Sequence, residues 1–129
     1  MNGHVRDLST LDIDSTLESA DKLVVVEFYL TTCPHCQAVA PIYELVAEEM
    51  VNEALFFRVD VDQNPLLTKR FNVVGTPTFK FFCQVRSVGE SVGFMNVTAL
   101  RNTIGDMMLR RKDCLSKSSP IRYNIDMFG

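Results

Sequence analysis

No apolar run in these 129 residues approaches the roughly 18 positions that a membrane-spanning helix needs, so no membrane function is expected. Basic residues are not in excess either: 13 Lys and Arg face 16 Asp and Glu, a formal charge of −3, and no basic block interrupts that balance. Nucleic-acid binding through neutralised phosphates is thereby disfavoured. Tryptophan is absent, and four cysteines are too few for a small secreted scaffold stapled by disulfides. The stretch Met1–Thr10 holds His4, Arg6 and Asp7 without an apolar h-region and does not look like a secretory signal, so a cytoplasmic location is expected. There is no internal repeat. With 47% hydrophobic and 22% charged residues, the composition is that of a globular chain, and the length suits one domain with its own core.

What is present alternates between two periods. Leu23 to Leu30 is a nearly continuous apolar run, broken only by Glu27, as in a strand covered on both faces. From Pro34 to about Met50, Val39, Ile42, Tyr43, Val46 and Met50 recur at helical spacing opposite Glu44, Glu48 and Glu49, with Pro41 inside to kink the helix. Ala54 to Val61 reads as a second core strand. Asn64 and Pro65 then supply a cap and a first-turn proline for a short helix reaching Phe71. Thr78 to Cys83 and Ser87 to Val92 are close enough to form an antiparallel hairpin. Asn96 is placed to cap a last helix, Val97 to about Arg111, with Leu100, Ile104, Met107 and Met108 on one stripe and Arg110 and Arg111 at its negative end.

Strands interleaved with helices predict an α/β layered fold. Beyond residue 112 the character changes. Ser116-Lys117-Ser118-Ser119-Pro120 reads as a linker, and Ile121, Tyr123, Ile125 and Met127 then alternate with polar residues. The expected division is therefore a domain over residues 1–112 and a C-terminal extension over 113–129, either an edge strand or a loosely ordered tail.

The chemistry concentrates at Cys33-Pro34-His35-Cys36, where a buried strand gives way to a long helix. A sulfur at that junction meets unpaired backbone N–H groups and the positive end of the helix dipole, both of which favour thiolate over thiol. Pro34 suits the first helical turn, and the three-residue spacing puts Cys36 within disulfide reach of Cys33. His35 adds a positive charge or a hydrogen-bond donor, which stabilises reduced Cys33 and makes the disulfide more oxidising. Two other readings of the pair are a zinc site, which would need two further ligands, and an inert structural disulfide. Cys83 and Cys114 follow no paired pattern: Cys83 reads as a small buried core residue, Cys114 lies just past the last helix, and a regulatory thiol or a Cys83–Cys114 bridge stays open. Asp60 and Asp62 read as strand-end solvation, and no metal site is expected. Pro77 opens a strand, so an ordinary trans turn proline is its plain reading.

These residues together resemble the thioredoxin family. Besides the cysteine pair, the pattern matches in Glu27, six positions before Cys33, in Pro41, in Val61-Asp62-Gln63-Asn64-Pro65 and in Gly75-Thr76-Pro77-Thr78, over about residues 5 to 110. The resemblance implies a thioredoxin fold, a central mixed sheet of four or five strands flanked by four helices. It also implies dithiol–disulfide exchange on protein substrates, as a general protein disulfide reductase without a cofactor. Cys33 would attack, Cys36 resolve and Glu27 relay a proton, with Arg58 as its partner across the sheet. Pro34 and His35 would tune the pair, and Thr76 with a cis Pro77 would place the substrate. Implied partners are disulfide-containing proteins and a thioredoxin reductase-type electron donor. Three departures stand out: Pro-His replaces the usual Gly-Pro, no tryptophan precedes Cys33, where Thr31 and Thr32 stand instead, and the buried acid is Glu where Asp is commoner. Pro-His is the pair of DsbA-type thiol oxidases, so oxidase or isomerase chemistry is one alternative. A non-catalytic thioredoxin-fold binding module is the other.

Overall fold

Seven residues that are apolar except for one carboxylate form the axis of the molecule. In a computed structural model, which describes the backbone of residues 3–121 and side chains through Ser116, Leu23–Tyr29 is the central strand, β2. The order along the chain is β1 (Val5–Asp7), α1 (Ile13–Ser19), β2, α2 (Pro34–Glu49), β3 (Ala54–Asp60), α3 (Pro65–Arg70), β4 (Thr78–Cys83), β5 (Arg86–Val92) and α4 (Val97–Ile121). The strands make one mixed sheet in the order β1-β3-β2-β4-β5. β1 and β2 both run parallel to β3, with Glu27 opposite Arg58, while β4 is antiparallel to β2, with Val24 opposite Phe82, and β5 is antiparallel to β4.

Period two divides β2 between two cores. Leu23 and Val25 pack with Val39, Tyr43 and Val46 of α2 and with Leu100 and Ile104 of α4. Val24, Val26 and Phe28 turn the other way, onto Ile13 and Leu17 of α1 and Leu67 of α3. Four helices therefore flank the sheet, two on each face, and by the same alternation Glu27 lies on the α2 face. Tyr43 sits where α2 crosses the strands. Its ring is edge-on to Phe56 and Phe79, with centroids 5.8 and 5.5 Å away, and its hydroxyl donates to the Phe57 carbonyl at 2.7 Å, with the Val25 carbonyl at 3.2 Å.

The pattern of strand and helix from Leu23 onward matches the sequence expectation, but four details do not. β1 and α1 carry too few residues to show a period and are not visible in the sequence. Asn64 precedes α3 without capping it through its side chain. Its Oδ1 instead accepts from the backbone N–H and the hydroxyl of Thr10, at 3.0 and 3.2 Å, and ties the N-terminal loop to the end of β3. The last helix does not stop near Arg111: α4 continues to Ile121, so the residues read as a linker are helical and the expected boundary after residue 112 falls inside α4. Serine is only a modest helix former and not a breaker, so the serine-rich stretch can continue a helix already running; just before it, Cys114 is joined by a disulfide to Cys83 at the end of β4, with the two Cα atoms 6.6 Å apart. The alternating residues Tyr123, Ile125 and Met127 lie outside the described residues. At its other end α4 is capped as expected, by Asn96 Oδ1 accepting from Ala99 N–H at 2.8 Å. Among the described residues no helix is long and apolar enough to cross a membrane.

Removing the Tyr43 hydroxyl by Tyr43→Phe keeps the ring contacts and deletes a fully buried hydrogen bond, so it is expected to lower unfolding stability by about 1–2 kcal/mol. Urea denaturation at constant m-value measures it. A variant as stable as the parent would show that the phenol contributes only by packing.

Candidate functional site

β2 ends at Tyr29, and the next four residues turn the chain into α2. Cys33 N–H closes the turn onto the Leu30 carbonyl at 3.3 Å, and Gln37 Nε2 donates to the Thr31 carbonyl at 2.8 Å. Cys33 is the N-cap of α2: its backbone is extended, Pro34 occupies the first turn, and its Sγ accepts from Cys36 N–H at 3.2 Å. A sulfur thus takes the place of the usual capping oxygen. The Cys33 thiol points to the Thr76 carbonyl at 3.6 Å, and the Thr76–Pro77 peptide bond is cis, as the family resemblance implied. The loop carrying it is held on two sides, by Thr78 Oγ1 donating to the Gly75 carbonyl at 2.6 Å and by Gly93 N–H donating to the Pro77 carbonyl at 2.8 Å.

Both cysteines are free thiols, Cys33 half-buried and Cys36 buried. Their surroundings push them in opposite directions. Hydrogen bonding from the Cys36 side chain, joined by the backbone N–H groups of Cys36 and His35, holds the Cys33 thiol below its ordinary range. Burial, together with its bond to the Cys33 sulfur, pushes Cys36 up to about 11. His35 itself is exposed, so among the described contacts its part at the sulfur is played by its backbone N–H.

Glu27 is 2% exposed. Burial raises its carboxyl to about 7, against the opposing pull of the Arg58 charge and with a smaller push from Cys33. The expected direct pairing of Glu27 with Arg58 is not what forms. Arg58 gives its Nε to Asp7 at 3.2 Å and lays its guanidinium over the Tyr29 ring at 4.9 Å, so it acts on Glu27 as a nearby charge across the strand pair. The reason is register: Asp7 on β1 also stands opposite Arg58 and meets solvent, where an ion pair costs little desolvation. Glu27, Cys36, Ala40 and Arg58 are among the residues that line one open cavity of about 230 Å³, which has room for several water molecules and borders both the carboxyl residue and the buried thiol residue.

The structure therefore gathers Glu27, Cys33, Pro34, His35, Cys36, Thr76 and Pro77 at one end of the sheet, with Arg58 beside Glu27. Cys83 is buried as read, and it is also bonded to Cys114, well away from the pair. Among the described residues no cluster of three or more His, Cys, Asp or Glu is arranged to hold a metal ion. Sequence reasoning missed three apolar residues at the rim: Val74, Val92 and Phe94, which are 89%, 58% and 46% exposed. Val92 stands opposite Thr78, and Val74 and Phe94 flank the Gly75–Thr78 loop and Gly93. Nothing in the sequence distinguishes them from core residues; exposure next to Pro77 does.

The thioredoxin family model matches residues 4–106. Thioredoxin H4 of Arabidopsis thaliana is 38% identical over 90 residues, covering 70% of this chain and 75% of that one. A bifunctional thioredoxin reductase/thioredoxin of Mycobacterium leprae is 36% identical over 90 residues, 70% of this chain and 20% of that much longer protein. The crystal structure of a chloroplastic thioredoxin z superposes with a TM-score of 0.74 at 26% identity, over 83% of this chain and 96% of that one. Sequence and fold agree over most of its length, and the chain belongs to the thioredoxin family.

Proposed function

We propose that this chain is a thiol–disulfide oxidoreductase working as a protein disulfide reductase, with Cys33 as nucleophile and Cys36 as resolving thiol. The observation that carries the reading is the Cys33 sulfur: it caps α2, accepts Cys36 N–H, and faces the cis Thr76–Pro77 bond. The Cys33 thiolate attacks one sulfur of a substrate disulfide and expels the other as a thiolate. Thr76 offers its backbone to the extended substrate, and Val74, Val92 and Phe94 give its side chains an apolar rim. Cys36, held protonated by burial, must then lose its proton. Glu27 takes it through water in the cavity that both residues border, since a carboxyl that titrates near pH 7 is half ionised where the reaction runs. The Cys36 thiolate attacks Cys33 Sγ, the substrate leaves reduced, and a Cys33–Cys36 disulfide remains.

Returning that disulfide to the dithiol needs two electrons, which we assign to a thioredoxin reductase-type donor in the cytoplasm. The fused reductase in the Mycobacterium leprae relative supports this pairing. The Pro34-His35 dipeptide favours a second reading, in which the same pair oxidises or isomerises thiols. The equilibrium potential against glutathione separates them: about −270 mV is thioredoxin-like and about −120 mV is DsbA-like.

Three outcomes are expected. Alkylation of Cys33 followed against pH should show a midpoint below that of an ordinary free thiol, and His35→Val, which keeps the backbone N–H, should leave that midpoint in place; a parent midpoint equal to a free thiol's would remove the electrostatic role of the helix start. The second concerns Glu27, whose unfolded carboxyl ionises near 4.5 and whose folded one keeps its proton to about 7. Folding stability therefore falls as pH rises through that window. Glu27→Gln should abolish this fall, leaving the variant more stable by ~2–3 kcal/mol at pH 8 and equal at pH 4, while resolution of the mixed disulfide slows at least about ten-fold. Stopped-flow kinetics with an unchanged resolution rate would leave Glu27 a structural residue only. Third, Val74→Asp with Phe94→Ser should raise KM for insulin reduction several-fold with kcat nearly constant, whereas equal loss in both would place the rim in the chemistry rather than in docking.

A further inference from the structure

We propose that the Cys83–Cys114 disulfide of one copy of this chain is a substrate for the Cys33/Cys36 dithiol of a second copy. The proposal rests on the dithiol exchange assigned above and names a target for it. The two sulfur pairs of one molecule lie at opposite ends of the sheet. β4 begins at Thr78, beside Pro77 and Cys33, and ends at Cys83; at about 3.3 Å per residue its six residues put Cys83 about 16 Å from Thr78. β2 gives the same answer: Val24 at its start pairs with Phe82, whereas Cys33 follows its end. Cys33 therefore cannot reach Cys114 of its own chain, and the exchange is between copies.

The bridge presents one sulfur to attack. Cys83 is 2% exposed within β4, while Cys114 is only partly buried on α4. Thiolate attack proceeds in line with the S–S bond, so the accessible Cys114 sulfur is attacked and the buried Cys83 leaves. Arg110 and Arg111, one turn earlier on the helix, place positive charge near the incoming Cys33 thiolate. On the face of α4 that carries Met108, Arg111, Lys112 and Leu115, a shallow hollow of about 230 Å³ is closed by Leu23 and Glu53, and Leu115, next to Cys114 in the chain, is exposed. Its apolar part, Leu23, Met108 and Leu115, suits the Val74, Val92 and Phe94 rim of the other copy, with Glu53, Arg111 and Lys112 at its border. A substrate must lie extended beside Thr76, which requires the helix around Cys114 to open. The following Ser116-Lys117-Ser118-Ser119-Pro120 makes those turns inexpensive to unwind, since serine is a modest helix former and proline removes a helix hydrogen bond.

The exchange balances without any further reactant. Cys33 Sγ⁻ of the first copy forms a bond to Cys114 Sγ of the second as the Cys83–Cys114 bond breaks, and Cys83 leaves as a thiolate that takes a proton from solvent. Cys36, deprotonated, then attacks Cys33 Sγ and expels the Cys114 thiolate. One copy ends with a Cys33–Cys36 disulfide and the other with two thiols at Cys83 and Cys114, its covalent link between α4 and β4 opened. Two electrons have passed from the first pair to the second.

A trapping experiment on the full-length chain tests this. The target is Cys33→Ser/Cys36→Ser, which keeps the bridge. The trap is Cys36→Ser/Cys83→Ser/Cys114→Ser, and a second trap, Cys36→Ser alone with ¹⁵N labelling, covers any failure of the first to fold. After quenching with iodoacetamide, at least ten-fold more disulfide-linked dimer than with a Cys33→Ser control trap is expected, its cross-linked peptide joining Cys33 to Cys114. Insulin serves as the reference disulfide. Capture of insulin without capture of the target would overturn the proposal while leaving the reductase reading intact; capture of neither removes both. A target that titrates two thiols before any reduction, or a cross-link at Cys83 in place of Cys114, would also overturn it.

Discussion

A central strand covered on both faces is the constraint from which the rest of this molecule follows. β2 has hydrogen-bonded neighbours on both edges and helices on both sides, so every side chain on it must be apolar or must have a reason to be otherwise. Because the strand is fixed from four directions, its end is fixed too. The chain leaving Tyr29 can only climb over the sheet edge into α2, and Cys33 arrives at the one position where a helix has N–H groups to spare. The single carboxylate on β2 lies on the α2 face, where burial raises its pKa towards neutrality. The capping sulfur and the raised carboxyl are thus two consequences of one buried strand.

The same arrangement separates two chemically identical thiols that stand three residues apart. Cys33 keeps contact with solvent and collects hydrogen bonds that favour its anion, while Cys36, one turn into the helix, loses water and gains little in exchange. The direction of each shift follows from burial and donor count. A bond between Cys36 and Cys33 also links the two titrations, so that ionising one opposes ionising the other. Arg58 completes the balance from a distance: tied to Asp7 and resting on Tyr29, it moderates the Glu27 carboxyl without neutralising it.

The opposite end of the sheet carries the second sulfur pair. There the Cys83–Cys114 bridge joins β4 to α4, and the helix continues through a serine-rich segment whose own propensity is weak. One end of β4 therefore meets the Cys33/Cys36 thiols and the other end the Cys83–Cys114 bridge, with an all-buried strand between them.

Much of this was legible beforehand. The apolar run at Leu23–Leu30, the helical spacing after Pro34, the hairpin and the Asn96 cap are local patterns, and local patterns are what a sequence carries directly. The position of the cysteine pair at a strand-to-helix junction was legible for the same reason, and with it the direction of the Cys33 shift. Contacts between residues distant in the chain were not. That Arg58 bonds Asp7, that Asn64 holds Thr10 rather than capping α3, that Cys83 finds Cys114, and that Val74, Val92 and Phe94 stay exposed around Pro77 all depend on which strands became neighbours. The sequence by itself determined the elements from β2 to the start of α4 and the place of the cysteine pair, because periodicity and capping act within a few residues. Only the tertiary structure decided the partners, because strand register and burial are properties of the whole sheet.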